Sequence, residues 1–221
     1  MNIQYLKRSD KEELIIFFSG WGIESYSFLN IPSKSSILFI SDYSKLDNIN
    51  TINNYSANYK KITVISWSFG VLIYSIIKEE LKFKSESEIA INGTLKPIDD
   101  RYGIPEKIFD KTLINLNQIS INQFYSNMFN NEADSLRFLS NNTSRDLNSL
   151  NNELSKLKNY ANNHSNITNN FNKVIISKQD KIIRFQNQLR FWDQRCKNIS
   201  IIDSGHFPFY LWNQWEDILE S

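Results

Sequence analysis

The chain has 221 residues, 41% of them hydrophobic and 14% aromatic, with a formal net charge of +1. That length suits one domain with a sizeable core and room for an inserted subdomain, and the balanced charge gives no electrostatic footprint for nucleic acid. The lone Cys196 excludes an internal disulfide framework and a cysteine-rich zinc site, and two histidines, His164 and His206, argue against a His-rich metal site.

The N-terminal stretch MNIQYLKRSDKEELIIFF places charges ahead of its apolar run, which is not a signal-peptide layout. No run approaches the ~18 apolar residues of a membrane span. The expectation is a cytoplasmic protein with no membrane or nucleic-acid partner. Short apolar runs then follow: Leu14–Phe18 ending in Ser-Gly-Trp-Gly, Ser36–Ile40, Ile62–Ile65 ending in SWSFG, and Ile89–Ile91 ending in Asn-Gly-Thr. Two more come late, Val174–Ile176 and Ile199–Ile202, the latter ending in Asp-Ser-Gly-His. Such runs predict strands buried on both faces of a mainly parallel sheet. Helical patterns over Gly70–Leu81, Ile183–Arg195 and Phe209–Leu219 separate or follow them, so the fold class is α/β with right-handed crossovers.

From Pro97 to Asn170 the alternation stops. Leu136, Leu139, Leu147, Leu150, Leu154 and Leu157 recur at helical spacing in an Asn-rich, charged background. This predicts a helical insertion, residues 97–170, between core segments 1–96 and 171–221. NNHSNITNN at 162–170 reads as a connection back to the sheet, with His164 a loop residue.

Ligands of open parallel sheets bind beyond the carboxyl ends of the strands. Ser68, Asp180 and His206 each follow a predicted strand, in the chain order of an α/β-hydrolase triad. Around Ser68, positions 66 and 70 are both small, as a nucleophile elbow requires, although Ser66 replaces the commoner glycine. Taken alone, Ser68 is equally a helix N-cap, and Asp180 a surface acid opening a helix. As a set, Ser68 is the nucleophile, His206 the base and Asp180 the group that orients it. Asp203 is a rival acid, too close in sequence to fold back onto His206. An oxyanion hole needs two backbone N–H groups, expected from Phe69 and Trp21, with Gly20 and Gly22 allowing close approach of substrate. No cofactor or metal is called for.

FFSGWG, the SWSFG elbow, AINGTLKPIDDRYGIP at 90–105 and the C-terminal DSGHFPF together resemble the BioG group of pimeloyl-[acyl-carrier protein] methyl ester esterases, α/β-hydrolases of biotin synthesis. The resemblance runs through nearly the whole chain. Ser19 stands where the related BioH-type esterases have histidine before the Gly-Trp-Gly turn. The resemblance implies hydrolysis of the terminal methyl ester of a carrier-bound pimeloyl chain, and an acyl carrier protein as partner. It also implies that the insertion is a lid. Phe124, Tyr125, Phe129 and Phe138 are then candidates for an acyl channel, with Phe124 and Tyr125 at the substrate. Lys107, Lys111, Arg137, Arg145, Lys156 and Lys158 are candidates for meeting an acidic carrier. The aromatics are equally explained by packing, and the cations by a solvated face. Other acyl-ester hydrolases or thioesterases with the same triad, and a non-catalytic binding protein on this scaffold, are the alternative readings.

Overall fold

The computed structural model describes residues 1–141 and 145–221. Seven strands form one sheet: β1 (Asn2–Lys7), β2 (Glu13–Phe18), β3 (Ser36–Ser41), β4 (Lys61–Trp67), β5 (Ser87–Ile91), β6 (Lys173–Ser177) and β7 (Ile199–Ile202). Their spatial order is β1-β3-β2-β4-β5-β6-β7, all parallel except β1, which runs antiparallel to β3. The central strands are buried on both faces, with Ile16, Phe17, Leu38, Phe39, Val64 and Ile65 wholly inaccessible. Each such side chain contributes roughly 1.5–3 kcal/mol of burial.

Strand β1 is invisible to the both-faces criterion, because Asn-Ile-Gln-Tyr-Leu-Lys is an edge strand that is only half-buried. The expectation of two buried faces also fails at β7, the opposite edge, where Ile201 is exposed. Among the described residues, β6 is the strand that pairs with β7.

Helix α1 (Ile49–Ser56) precedes β4, and α2 (Gly70–Ile77) follows it and passes into a 3₁₀ turn, Lys78–Glu80. Among the described residues, four helices lie between β5 and β6: α3 (Glu106–Ile114), α4 (Gln118–Asn127), α5 (Glu132–Asn141) and α6 (Leu147–Asn163). They form the helical insertion, and among the described residues no named strand lies within it. Helix α7 (Phe185–Trp192) is shorter than its periodicity suggests. The Ile182 and Ile183 amides ahead of it donate to Asp180 Oδ1 instead, at 2.8 and 2.9 Å.

The predicted helix over Phe209–Leu219 is absent; only α8 (Asp217–Glu220) is helical. Its helical spacing reflects two aromatic plugs in a turn-rich segment. Phe209 and Trp215 pack against Phe17 and Phe28 in the core. Asp217 Oδ2 accepts from the Asn213 and Gln214 amides, and Trp215 N donates to Pro32 O. Among the described residues no helix is long and apolar enough to cross a membrane.

The insertion is tied to the core by buried charge. Glu153 on α6 has a wholly buried side chain and lies 2.6 Å from Arg145. It also accepts the Tyr43 backbone N–H at 2.9 Å. Arg145 further approaches Asp42 at 3.3 Å and Glu24 at 3.6 Å. Burial pushes the Glu153 carboxyl up, and Arg145 beside it pulls it back. Arg145 is therefore a structural cation with little exposure, and the expectation that it meets a carrier protein is corrected. Removing one partner of a buried pair costs about 3–5 kcal/mol, because the other charge is left stranded. Arg145→Met should lower stability by about that amount in denaturant melts at pH 7. The loss should shrink as pH falls, since a carboxyl with a raised folded-state pKa destabilises only where the unfolded chain ionises it. A pH-independent loss would refute the stranded charge.

Candidate active site

Strand β4 delivers the chain into a tight turn at its carboxyl end. Ser68 has φ +57°, the left-handed region that a non-glycine residue occupies at a cost. The turn is held by Ser68 N donating to Ile91 O on the neighbouring strand, 3.0 Å, and by Val71 N donating to Ser68 O, 3.2 Å. Gly70 is required by space: a Cβ there would lie 2.3 Å from Phe18 O. Ser66 fits the other small position, wholly buried. The Ser68 side chain does not cap α2, whose N-cap is Phe69 and which has no side-chain cap bond.

Ser68 Oγ lies 3.0 Å from His206 Nε2, and His206 Nδ1 lies 2.8 Å from Asp180 Oδ2. All three residues are buried. Asp180 is ringed by donors. Oδ1 accepts the Ile182 and Ile183 amides, and Oδ2 accepts Gln188 Nε2 at 2.8 Å as well as the imidazole. A carboxylate in that role accepts from His206 Nδ1–H, which leaves Nε2 as the acceptor facing the serine hydroxyl.

The histidine loop is fixed from three sides. Trp67 Nε1 and Asn92 Nδ2 both donate to His206 O at 2.9 Å, and Phe207 N donates to Met128 O of the insertion at 3.1 Å. Asn92 also donates to Ser177 Oγ and accepts from Ser177 N, linking the ends of β5 and β6. Gln188, Asn92 and Trp67 were not singled out from sequence. Asn92 carried a signal in the Asn-Gly step after a strand; Gln188 carried none. Asp203 instead accepts from Gln179, and His164 caps α6, its ring 2.9 Å from Tyr160 O.

Ser68 and His206 face a mainly apolar cleft of about 760 Å³, open mouth included, within the roughly 300–1,000 Å³ of small-ligand sites. Gly20, Trp21 and Phe69 form its core side; Phe109, Phe124, Met128 and Leu154 form its insertion side. Among the described residues the backbone N–H groups of Trp21 and Phe69 have no protein acceptor. Phe124 lines the cleft. Tyr125 and Gly22 do not: Tyr125 is buried, its hydroxyl donating to Gly22 O at 2.8 Å. Phe129 and Phe138 are likewise no channel, because both pack against Phe207. Of the cations, Lys158 pairs with Asp110, Arg137 lies over the Tyr210 ring, and Lys107, Lys111 and Lys156 are exposed.

A family model described as "Pimeloyl-ACP methyl esterase BioG" matches residues 1–218. A malonyl-[acyl-carrier protein] O-methyltransferase of Bacteroides fragilis is 32% identical over 198 residues, 89% of this chain; the chain spans about two-fifths (40%) of that relative's length. An uncharacterized protein of Haemophilus influenzae is 30% identical over 212 residues, covering 92% of this chain and 93% of that one. The crystal structure of selenomethionine BioG from Haemophilus influenzae superposes with a TM-score of 0.85 at 26% identity, covering 99% of both chains.

Proposed function

Because the chain belongs to the BioG family of pimeloyl-[acyl-carrier protein] methyl esterases, we propose that it is a serine carboxylesterase acting on the methyl ester of a carrier-bound pimeloyl chain in biotin synthesis. The observation that carries this reading is the hydrogen-bonded series Ser68, His206, Asp180, whose serine and histidine line an apolar cleft.

Ser68 Oγ attacks the terminal ester carbonyl while His206 Nε2 takes its proton. The Trp21 and Phe69 amides hold the oxyanion as it develops. His206 returns the proton to the leaving methoxide, and methanol departs, leaving a pimeloyl ester on Ser68. A water deprotonated by His206 then releases the free carboxylate. Asp180 keeps Nδ1 protonated throughout. The thioester at the other end of the chain survives because the apolar cleft accepts the ester end, and the carrier arm trails out through the mouth. Residues 97–170 act as the lid over this path.

Incubation with the carrier-linked methyl ester should yield methanol and an intact thioester, resolved by mass spectrometry. Release of free carrier thiol would make the protein a thioesterase instead.

Lys107 and Lys111 each directly precede a cleft-lining residue, Ile108 and Thr112, so α3 brings exposed positive charge to the mouth. An acidic carrier is steered by such charge, and salt screens it. The kcat/KM for the carrier substrate should fall several-fold between about 50 mM and about 500 mM salt, where the Debye length shrinks to a few Å. Lys107→Glu with Lys111→Glu should reproduce that loss, and a small neutral ester should feel neither change. Equal losses on both substrates would exclude α3 as the docking edge.

A further inference from the structure

The turn Ser19–Gly22 that carries the Trp21 amide is held from outside itself. Tyr43 OH donates to Ser19 O at 2.8 Å and also lies 3.1 Å from Ile40 O. Trp21 Nε1 donates to Leu150 O on α6 at 3.0 Å. Tyr125 OH, on α4, donates to Gly22 O at 2.8 Å. Two of these three partners belong to the helical insertion. The third is coupled to it, because Glu153, one turn along α6 from Leu150, accepts the Tyr43 amide.

The turn has little stiffness of its own. Glycines flank Trp21 on both sides, and Gly22 sits at φ +69°. Such a backbone is ordered only by the groups that grip it. Tyr43, Tyr125 and Trp21 are all buried, so their hydrogen bonds are shielded from competing water. Burial and the nearby Glu153 push the Tyr43 hydroxyl well up, which keeps it a donor.

We propose that Tyr125 and Tyr43 are positioning residues for the Trp21 amide, so that the helical insertion, through Tyr125 and the Leu150 carbonyl, is a structural part of the oxyanion site as well as a cover for the cleft. The proposal rests on the serine-esterase reading. Tyr125 is not among the residues that line the cleft. It acts through the Gly22 carbonyl on the peptide that presents the Trp21 N–H. Loss of one oxyanion donor costs about 10²–10³ in rate, so a misaimed one should cost less, about 10–100-fold.

Tyr125→Phe is the test, because it keeps the ring against Phe124 and Phe138 and deletes one hydroxyl. Tyr43→Phe is the independent second variant. Each is compared with wild type for kcat and KM on a short-chain methyl ester. Two further ligands are titrated: an alkyl boronic acid, which adds to Ser68 and mimics the tetrahedral state, and the amide of the same chain, which mimics only the ground state. The expected result is a kcat about 10–100-fold lower, boronate affinity weakened by the same factor, and KM and amide affinity within about twofold of wild type. Wild-type kcat and boronate affinity in both variants would overturn the proposal. So would a loss confined to KM, or one shared equally by the amide, since that is what damaged packing gives. A wild-type chain whose Ser68 resists a fluorophosphonate would overturn the esterase reading and this proposal together. Labelled wild type with unaffected variants would overturn the positioning role alone.

Discussion

Ser68→Ala should leave a folded protein whose ester hydrolysis has fallen by roughly 10³–10⁶-fold, because the members of a triad act as a unit. The serine hydroxyl is the only atom removed, and its hydrogen bond is to His206 Nε2. Melting temperature should barely move. Ser68→Gly should be equally inactive, and its backbone meets φ +57° without the strain an alanine keeps. His206→Ala should lose activity over a similar range. The double variant should then be little worse than either single one, since a base with no nucleophile to serve contributes nothing. Turnover near wild type in Ser68→Ala would remove the nucleophile assignment. Losses that multiply in the double variant would mean that the two residues work independently, which their 3.0 Å contact contradicts.

The parts of this site that sequence exposed are those where chemistry constrains residue type locally. The elbow is legible because the left-handed turn at Ser68 brings position 70 against Phe18 O, where only glycine fits. The buried strands are legible because both of their faces need apolar side chains, and the same logic misses β1, whose outer face meets water. What stayed hidden depends on contacts that only the folded chain makes. Gln188 reaches back to Asp180 from α7, and Tyr125 reaches Gly22 from 103 residues away. An aromatic residue in an insertion reads as channel or packing with equal ease, and only its hydroxyl's partner separates the two. The C-terminal misreading has the same root. Phe209 and Trp215 both pack against Phe17 and Phe28 from a turn-rich segment, so their burial is set by the core aromatics rather than by a helix face.

Asp180→Asn should keep the fold and cut turnover by about 10⁴-fold, through the tautomer of His206. The geometry dictates how the amide must sit. The Ile182 and Ile183 amides both donate to Oδ1, so the asparagine oxygen is retained there and its NH₂ takes the Oδ2 position. That NH₂ then faces two donors, Gln188 Nε2 and His206 Nδ1–H. Gln188 can rotate its amide and offer oxygen instead. The imidazole can relieve the clash only by moving its proton to Nε2, which turns the base into a donor toward Ser68. The serine then has no acceptor for its proton, whatever the substrate. Gln188→Met, which removes a donor but leaves the carboxylate, should be far milder, about 3–10-fold, because Asp180 keeps its other three hydrogen bonds. Asp203→Asn should be close to wild type, since its carboxylate bonds to Gln179 rather than to the imidazole. The check is steady-state kinetics on a short-chain ester for all three variants, with the imidazole nitrogen shifts of His206 followed by NMR. A protonated Nδ1 in Asp180→Asn, or a larger loss in Asp203→Asn, would assign the orienting acid elsewhere.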